Sequence, residues 1–199
     1  MAFRGTLSPN FDCIVRAGDQ GFALGNNSLS VWFRLDNVTG AHEMIEVNAV
    51  GGGNGSFDSA IIMNGNQVEY SQRSSANQMN FLGGTTVTAN VWNHAALTYD
   101  GTTLRGYLNG ATNGTDATVL TGTRGNWANL QVGPTLGELQ DACFYTAALT
   151  AEEILQLYRN RIPGRRAGLR WHLPCFPGAT NRLIDYSGNA QNFSNSGTP

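Results

Sequence analysis

A chain of 199 residues with 41% apolar side chains is long enough to bury one full core. Charged residues make up only 13% and the formal net charge is -2, which excludes nucleic acid as a partner, because phosphate binding needs a surplus of basic side chains. No apolar run approaches the length of a membrane span, so no membrane partner is expected. Polarity comes instead from Asn, Ser, Thr and 25 Gly, a composition of turns and short strands rather than long helices. All 12 basic residues are Arg. Codon bias is the plain explanation; a surface that meets other protein is the sharper one, since guanidinium desolvates more easily than ammonium.

The first residues, "MAFRGTLSPNFDCIVRAG", hold no apolar leader segment, so the expectation is a product made in a cytoplasm and released by lysis or an unusual route. "SLSVWFRL" (28–35) alternates strictly, with Leu29, Val31, Phe33 and Leu35 on one face, and predicts a half-buried strand. "AIIMNGNQVEYSQR" (60–73) reads as two strands joined across Asn64-Gly65. In "NHAALTYDGTTLRGYLNG" (93–110), Ala95, Leu97 and Tyr99 face one way, and Leu104, Gly106 and Leu108 answer them across Asp100-Gly101. "NLQVG" and "GELQDACFYTAAL" supply two further strands. Turn signals at intervals of roughly 8–12 residues are the spacing of an antiparallel sandwich.

"TAEEILQLYRN" (150–160) predicts one short helix on the sandwich edge, with Thr150 as N-cap, Glu153 completing a capping box, and an apolar stripe of Ile154, Leu157 and Tyr158. Residues 1–161 are thus expected to form the sandwich. Residues 162–199 form an extension docked through Leu169, Trp171, Leu173 and Phe176. "RNRIPGRRAGLR" gathers Arg159, Arg161, Arg165, Arg166 and Arg170, a candidate arm for an acidic partner surface, with a solvated linker as the plain alternative. Cys13, Cys143 and Cys175 stand at unrelated spacings and read as buried free thiols, although whether Cys143 and Cys175 pair is left open. Five Asn-x-Ser/Thr sites, at Asn26, Asn37, Asn54, Asn113 and Asn192, read as by-products of a surface rich in these residues.

"VWNHAALTYDGTTLRGYLNG" resembles the signature hairpin of the laminin-G-like, concanavalin A-like lectin superfamily. "GELQDACFYTAALTAEEILQLY" resembles its last core strand and short helix, and "SLSVWFRL" an early Trp-bearing strand. In order, these cover roughly residues 10–160. The resemblance implies an all-β fold: an antiparallel jelly-roll β-sandwich with one short C-terminal helix. "LRWHLPCFPGATNRLIDYSGN" resembles a Trp strand and Asp-x-Ser-Gly-Asn segment that in the family precedes the domain; here it follows, as a permuted edge strand or a docked arm.

Hydrolases of the superfamily need two carboxylates on one face. In "HEMIEV", Glu43 and Glu46 are three residues apart, which on a regular strand places them on opposite faces, so no enzyme and no catalytic residue is expected. No Gly-x-Ser-x-Gly elbow occurs either. Many relatives bind calcium, but "GTRGNWANLQVGP" lacks the carboxylates that the resemblance would put there, leaving Asp58, Asp100 and Asp116 as scattered candidates and calcium not favoured. For a glycan or a partner protein, Trp127 is the candidate platform in a Gly/Asn-rich loop, with Asn126 and Asn129 beside it. Trp32, Trp92 and Trp171 fall on strand-like segments and are expected to be structural.

With no leader segment and no catalytic set, analogy of fold points first to an oligomeric phage virion protein, a decoration protein on the outer capsid surface, with the major capsid protein as partner. A glycan-binding module of a tail fibre or adhesin, used for host attachment, is the alternative.

Overall fold

The alternating segments do become strands, and turn chemistry sets where they end. The computed structural model describes residues 3–5, 13–14, 25–49, 59–74, 76, 78–121, 127–133, 137–174, 182–183, 185–189 and 193–194. In chain order the elements are β1 (Phe3–Gly5), β2 (Cys13–Ile14), β3 (Asn27–Leu35), β4 (Ala41–Ala49), β5 (Ser59–Asn64), β6 (Gln67–Arg73), β7 (Gln78–Thr86) and β8 (Asn93–Tyr99). There follow β9 (Leu104–Leu108), β10 (Ala111–Asp116), β11 (Trp127–Val132), β12 (Gly137–Tyr145), α1 (Ala151–Asn160), β13 (Leu169–Leu173), β14 (Arg182–Leu183) and β15 (Phe193–Ser194).

Two antiparallel sheets carry the fold. One runs β1-β12-β3-β8-β9-β10, with β13 also paired to β12; the other runs β2-β11-β4-β5-β6-β7. β3 pairs along almost all of β12, while β1 takes Gly137–Leu139 and β13 takes Ala142–Tyr145 on the far side. The first and last long-range strands therefore lie end to end along one strand. The Asp185–Asn189 segment then clips the free edge of β13. Asp185 Oδ1 accepts from His172 N, Tyr186 N donates to His172 O, and Ser187 Oγ and Asn189 Nδ2 donate to Arg170 O. Edge carbonyls and amides that would otherwise template aggregation are closed off in this way.

The predicted hairpin forms in the predicted register: Ala95 faces Leu108, Leu97 faces Gly106, and Tyr99 faces Leu104. Asp100 Oδ1 accepts from Thr102 N and Thr103 N, an Asx turn that ends β8. At the other end Asn109 and Gly110 both have positive φ, 52° and 80°, as a type I′ turn requires. The earlier hairpin turns one residue later than predicted. Asn64 pairs with Gln67, so the loop is Gly65-Asn66, and only Gly65 (φ 60°) is left-handed, the pattern of a type II′ turn.

Leu29, Val31, Phe33 and Leu35 enter the main core between the sheets, alongside Ile61, Met63, Tyr70, Leu97 and Phe144. The expectation of a half-buried β3 is corrected, because Ser28, Ser30 and Trp32 on its other face are buried too. The cause is α1, which lies on the outer face of the seven-stranded sheet and not at an edge. Its Ile154 and Leu157 pack with Ala96, Tyr107, Cys143, Tyr145 and Leu169 in a second apolar cluster. Thr150 caps the helix and Glu153 closes the capping box, as the sequence predicts.

Candidate functional site

With α1 covering one outer face, the other sheet's outer face is where polar side chains gather. Its geometry turns on an irregularity in β4. Glu43 pairs with Ile62 and Glu46 with Ala60, while Ile45 pairs with Ile61, so Met44 is an extra residue between two regular pairs. Ile62 and Ala60 alternate with core residues Ile61 and Met63 and therefore point outward together. Glu43 and Glu46 accordingly share the outer face. The opposite-face expectation is corrected, since one inserted residue inverts the period-two count.

Two rows cross this face. The first runs Glu43–Ile62–Glu69–Leu82, the second Gln131–Glu46–Ala60–Ser71–Asn80. Each carboxylate is oriented by a primary amide. Gln131 Nε2 donates to Glu43 Oε2 at 3.4 Å, and Asn48 Nδ2 to Glu46 Oε1 at 2.9 Å. Asn64 and Asn80 donate to the two oxygens of Glu69 at 3.0 and 3.1 Å. Glu43, Asn64, Asn80 and Leu82 are exposed, Gln131 and Glu69 half-buried, and Ile62, Ala60 and Ser71 form a buried floor. A carboxylate oxygen can accept more than one hydrogen bond, and a primary amide carries a carbonyl acceptor and two N–H groups.

Trp127 opens β11 opposite Ala49 instead of lying in a loop, because the sheet continues to that residue; Asn129 stands opposite Asn48 at the margin of the same face. The side chains of Trp127 and Asn129, and the whole of Asn126 and Asp58, lie outside the described residues. Asp100 is held by Arg105, whose guanidinium, ahead of the Thr102 and Thr103 bonds, keeps its carboxyl well below the usual range. Asp116 accepts from Thr118 N. Among the described residues no group of three or more His, Cys, Asp or Glu is placed to hold a metal ion.

Arginines of the arm are engaged within the chain. Arg165 pairs with Glu153, Arg166 donates to Tyr186 O, and Arg161 lies 4.2 Å above the Trp32 ring and donates to Gln140. Arg159 is exposed in the last helical turn, and Arg170 lies half-buried on β13. Trp32 and Trp171 are buried strand residues, while Trp92 precedes β8. Cys143 is a buried free thiol; Cys175 and Phe176 lie outside the described residues. Asn113 is not a surface residue, since its amide bridges the two sheets, donating to Tyr70 OH and accepting from Thr85 N.

A family model described as the concanavalin A-like lectin/glucanases superfamily matches residues 13–155. Among curated proteins none matches the chain in sequence. Among solved structures, a "putative carbohydrate binding protein" from Bacteroides ovatus ATCC 8483 superposes with TM-score 0.72 at 14% identity, over 98% of this chain and 58% of that one. The receptor binding domain of botulinum neurotoxin D gives TM-score 0.62 at 13% identity, over 89% and 50%. A serotype D ligand binding domain in complex with N-acetylneuraminic acid gives 0.58 at 13%, over 75% and 42%. The chain spans about half the length of each of these proteins. At such identities the likeness shows the fold alone: two antiparallel jelly-roll sheets with one short helix.

Proposed function

Because the chain belongs to the concanavalin A-like lectin/glucanase superfamily, we propose that it is a glycan-binding module whose site is the outer face of the six-stranded sheet, and a non-enzymatic one, since of the two carboxylates that β4 turns to that face Glu43 is exposed but Glu46 is buried. The observation that carries this reading is the set of carboxylates each held by a neighbouring amide: Gln131 on Glu43, Asn48 on Glu46, and Asn64 and Asn80 on Glu69. A sugar offers adjacent hydroxyls that both donate and accept. A carboxylate beside an amide answers both demands, and a rotamer already fixed by an internal hydrogen bond loses less entropy on binding. The accessible groups are Glu43 and Gln131 on one side and Asn64, Glu69 and Asn80 on the other, so a ligand between them meets polar groups from five strands. Trp127, the first residue of β11, is the aromatic candidate that the sequence offers.

Capsid decoration, the first expectation from the sequence, gains no support from the comparisons, whereas glycan binding shares its direction with the carbohydrate-binding description of the Bacteroides relative. That support is an analogy of fold; the residues above supply the chemistry.

The test is a glycan array with the intact protein and with Glu69→Ala, Glu43→Ala and Trp127→Ala. Since Glu43 is exposed and Glu69 half-exposed, the two Glu variants keep the wild-type melting temperature within about 2 °C while losing at least tenfold in affinity. Full binding by both Glu variants moves the site elsewhere, and full binding by Trp127→Ala removes that residue from it. An array with no hit ends the reading. Release of reducing ends from a bound glycan ends its non-enzymatic part.

A further inference from the structure

We infer that the Arg159–Arg166 loop, where α1 gives way to β13, is a docking site for an acidic polypeptide segment that carries an apolar side chain. The loop is tied down along its length. Arg161 ends the helix in the left-handed region (φ 58°), and its N–H donates to Leu157 O. Its guanidinium lies 4.2 Å from the centre of the Trp32 ring and donates to Gln140 Oε1 at 3.0 Å. Pro163 is buried. Arg165 donates to the Glu153 carboxylate and to Ala167 O, and Arg166 O accepts from Leu169 N as β13 begins. On this frame Ile162 stands 63% exposed. The backbone that carries it is set before any partner arrives, so little freedom is lost on contact.

The charge around Ile162 is of one sign. Arg159, Arg161 and Arg166 are exposed, and among the described residues none of the three is ion-paired. Arg161 meets Trp32 and Gln140, and Arg166 meets Tyr186 O, all uncharged groups. Arg165 is the member that a carboxylate neutralises. The carbonyl end of α1 sets only about half a negative charge against the rest, and Glu152 lies in the first turn, at the far end of the helix. The whole chain is net -2, so this basic patch is local, and it favours the approach of an acidic partner. Ile162 decides the class of that partner. A sulfated sugar chain would satisfy the guanidinium groups and leave Ile162 against water, whereas a polypeptide brings carboxylates and apolar side chains together. Arg is also the charged side chain enriched where proteins meet. Arg161 covers Trp32 on the outer face of the seven-stranded sheet. A peptide docked here therefore sits on the opposite side of the sandwich from the six-stranded sheet's polar face and leaves that face open.

The experiment selects from a random library of short displayed peptides on the immobilised full chain. The strongest peptide is then measured by fluorescence polarisation against the wild type, Ile162→Ser, and Arg159→Gln with Arg166→Gln. All three positions are exposed, so the variants keep the wild-type melting temperature within about 2 °C. Burying an aliphatic side chain is worth about tenfold in affinity, and two exposed charge pairs together about fivefold, a part that fades as salt is added. The expected peptides carry Asp or Glu beside Leu, Ile, Val or Phe. They lose about tenfold with Ile162→Ser and about fivefold with the Arg pair, and bind more weakly at high salt than at low. No peptide enriched over a blank surface overturns the proposal, and so do enriched peptides without acidic residues, or binding that neither variant weakens. An all-Glu peptide or a sulfated oligosaccharide bound as tightly as the selected peptide, with Ile162→Ser making no difference, makes the loop a general anion site and overturns the polypeptide assignment.

Discussion

Replacing Gly106 with Ala tests how tightly the two sheets are locked together. Gly106 pairs with Leu97 on one side and Gly114 on the other, and its φ is not in the left-handed region, so alanine meets no backbone obstacle. The obstacle is Tyr70. A Cβ at position 106 would stand 2.5 Å from ring atoms Cδ2 and Cε2 and 2.7 Å from Cγ. The ring has no exposed surface through which to escape. It lies beside Phe81 at 5.2 Å between centroids, and its hydroxyl donates to Tyr107 O at 2.9 Å and accepts from Asn113 at 3.1 Å. Overpacking of this kind costs about 1–3 kcal/mol, and displacing the ring weakens two buried hydrogen bonds worth about 1 kcal/mol each. The sum, about 3–5 kcal/mol, lowers the melting temperature of a domain this size by roughly 6–20 °C. Calorimetry or circular dichroism on Gly106→Ala, with Gly84→Ala as control, measures it; no heavy atom lies within 4 Å of a Cβ at position 84. Adding Tyr70→Leu to Gly106→Ala makes room for the methyl group, so the double variant loses less than the sum of the singles. A Gly106→Ala protein that melts within about 2 °C of the wild type refutes the packing argument.

Further predictions follow from local geometry. Thr150→Ala removes the N-cap bond that Thr150 Oγ1 accepts from Glu153 N and the bond that Oγ1 donates to Glu153 Oε2, while the backbone bond from residue 150 N to Glu153 stays, and urea unfolding should show a loss of about 1 kcal/mol. His94 is buried on β8, and burial first, then the Arg161 charge, lowers its pKa to about 3. The unfolded chain takes up a proton near pH 6.5 that the native state refuses, so this contribution to stability is whole above pH 6.5 and is lost as pH falls toward about 3. Unfolding free energy measured across that window should slope downward toward acid, and His94→Gln should flatten the slope. Cys143 is 2% exposed, and burial pushes its thiol well above the ordinary range, with Asp141 adding to the shift. Peptide mapping after iodoacetamide treatment should show Cys143 unmodified in the native protein and modified in guanidinium; rapid native labelling would contradict the packing of β12 beneath α1.

The sequence by itself determined the strands of 28–35, 60–73 and 93–110, the helix with its cap, and the 93–110 hairpin, since each rests on interactions within a few residues: alternation, Asx and Asn-Gly turns, and a Thr–Glu capping box. Three of these segments, in chain order, also resemble motifs of the superfamily, and the family match over residues 13–155 bears that resemblance out. Other features depend on contacts between segments distant in sequence. That β3 is buried on both faces follows from where α1 lands, and an amphipathic stripe states that a helix must pack without stating against what. Trp127 begins a strand because β4 extends to meet it at Ala49. The candidate site was the least legible part. Met44 looks like any apolar residue in an alternating run, yet it is the extra residue in the pairing of β4 with β5, and that one insertion turns Glu43 to the side of Glu46. Whether a strand bulges is decided by its neighbour's hydrogen-bonding register, so only the assembled sheet places these carboxylates and their amides on one surface.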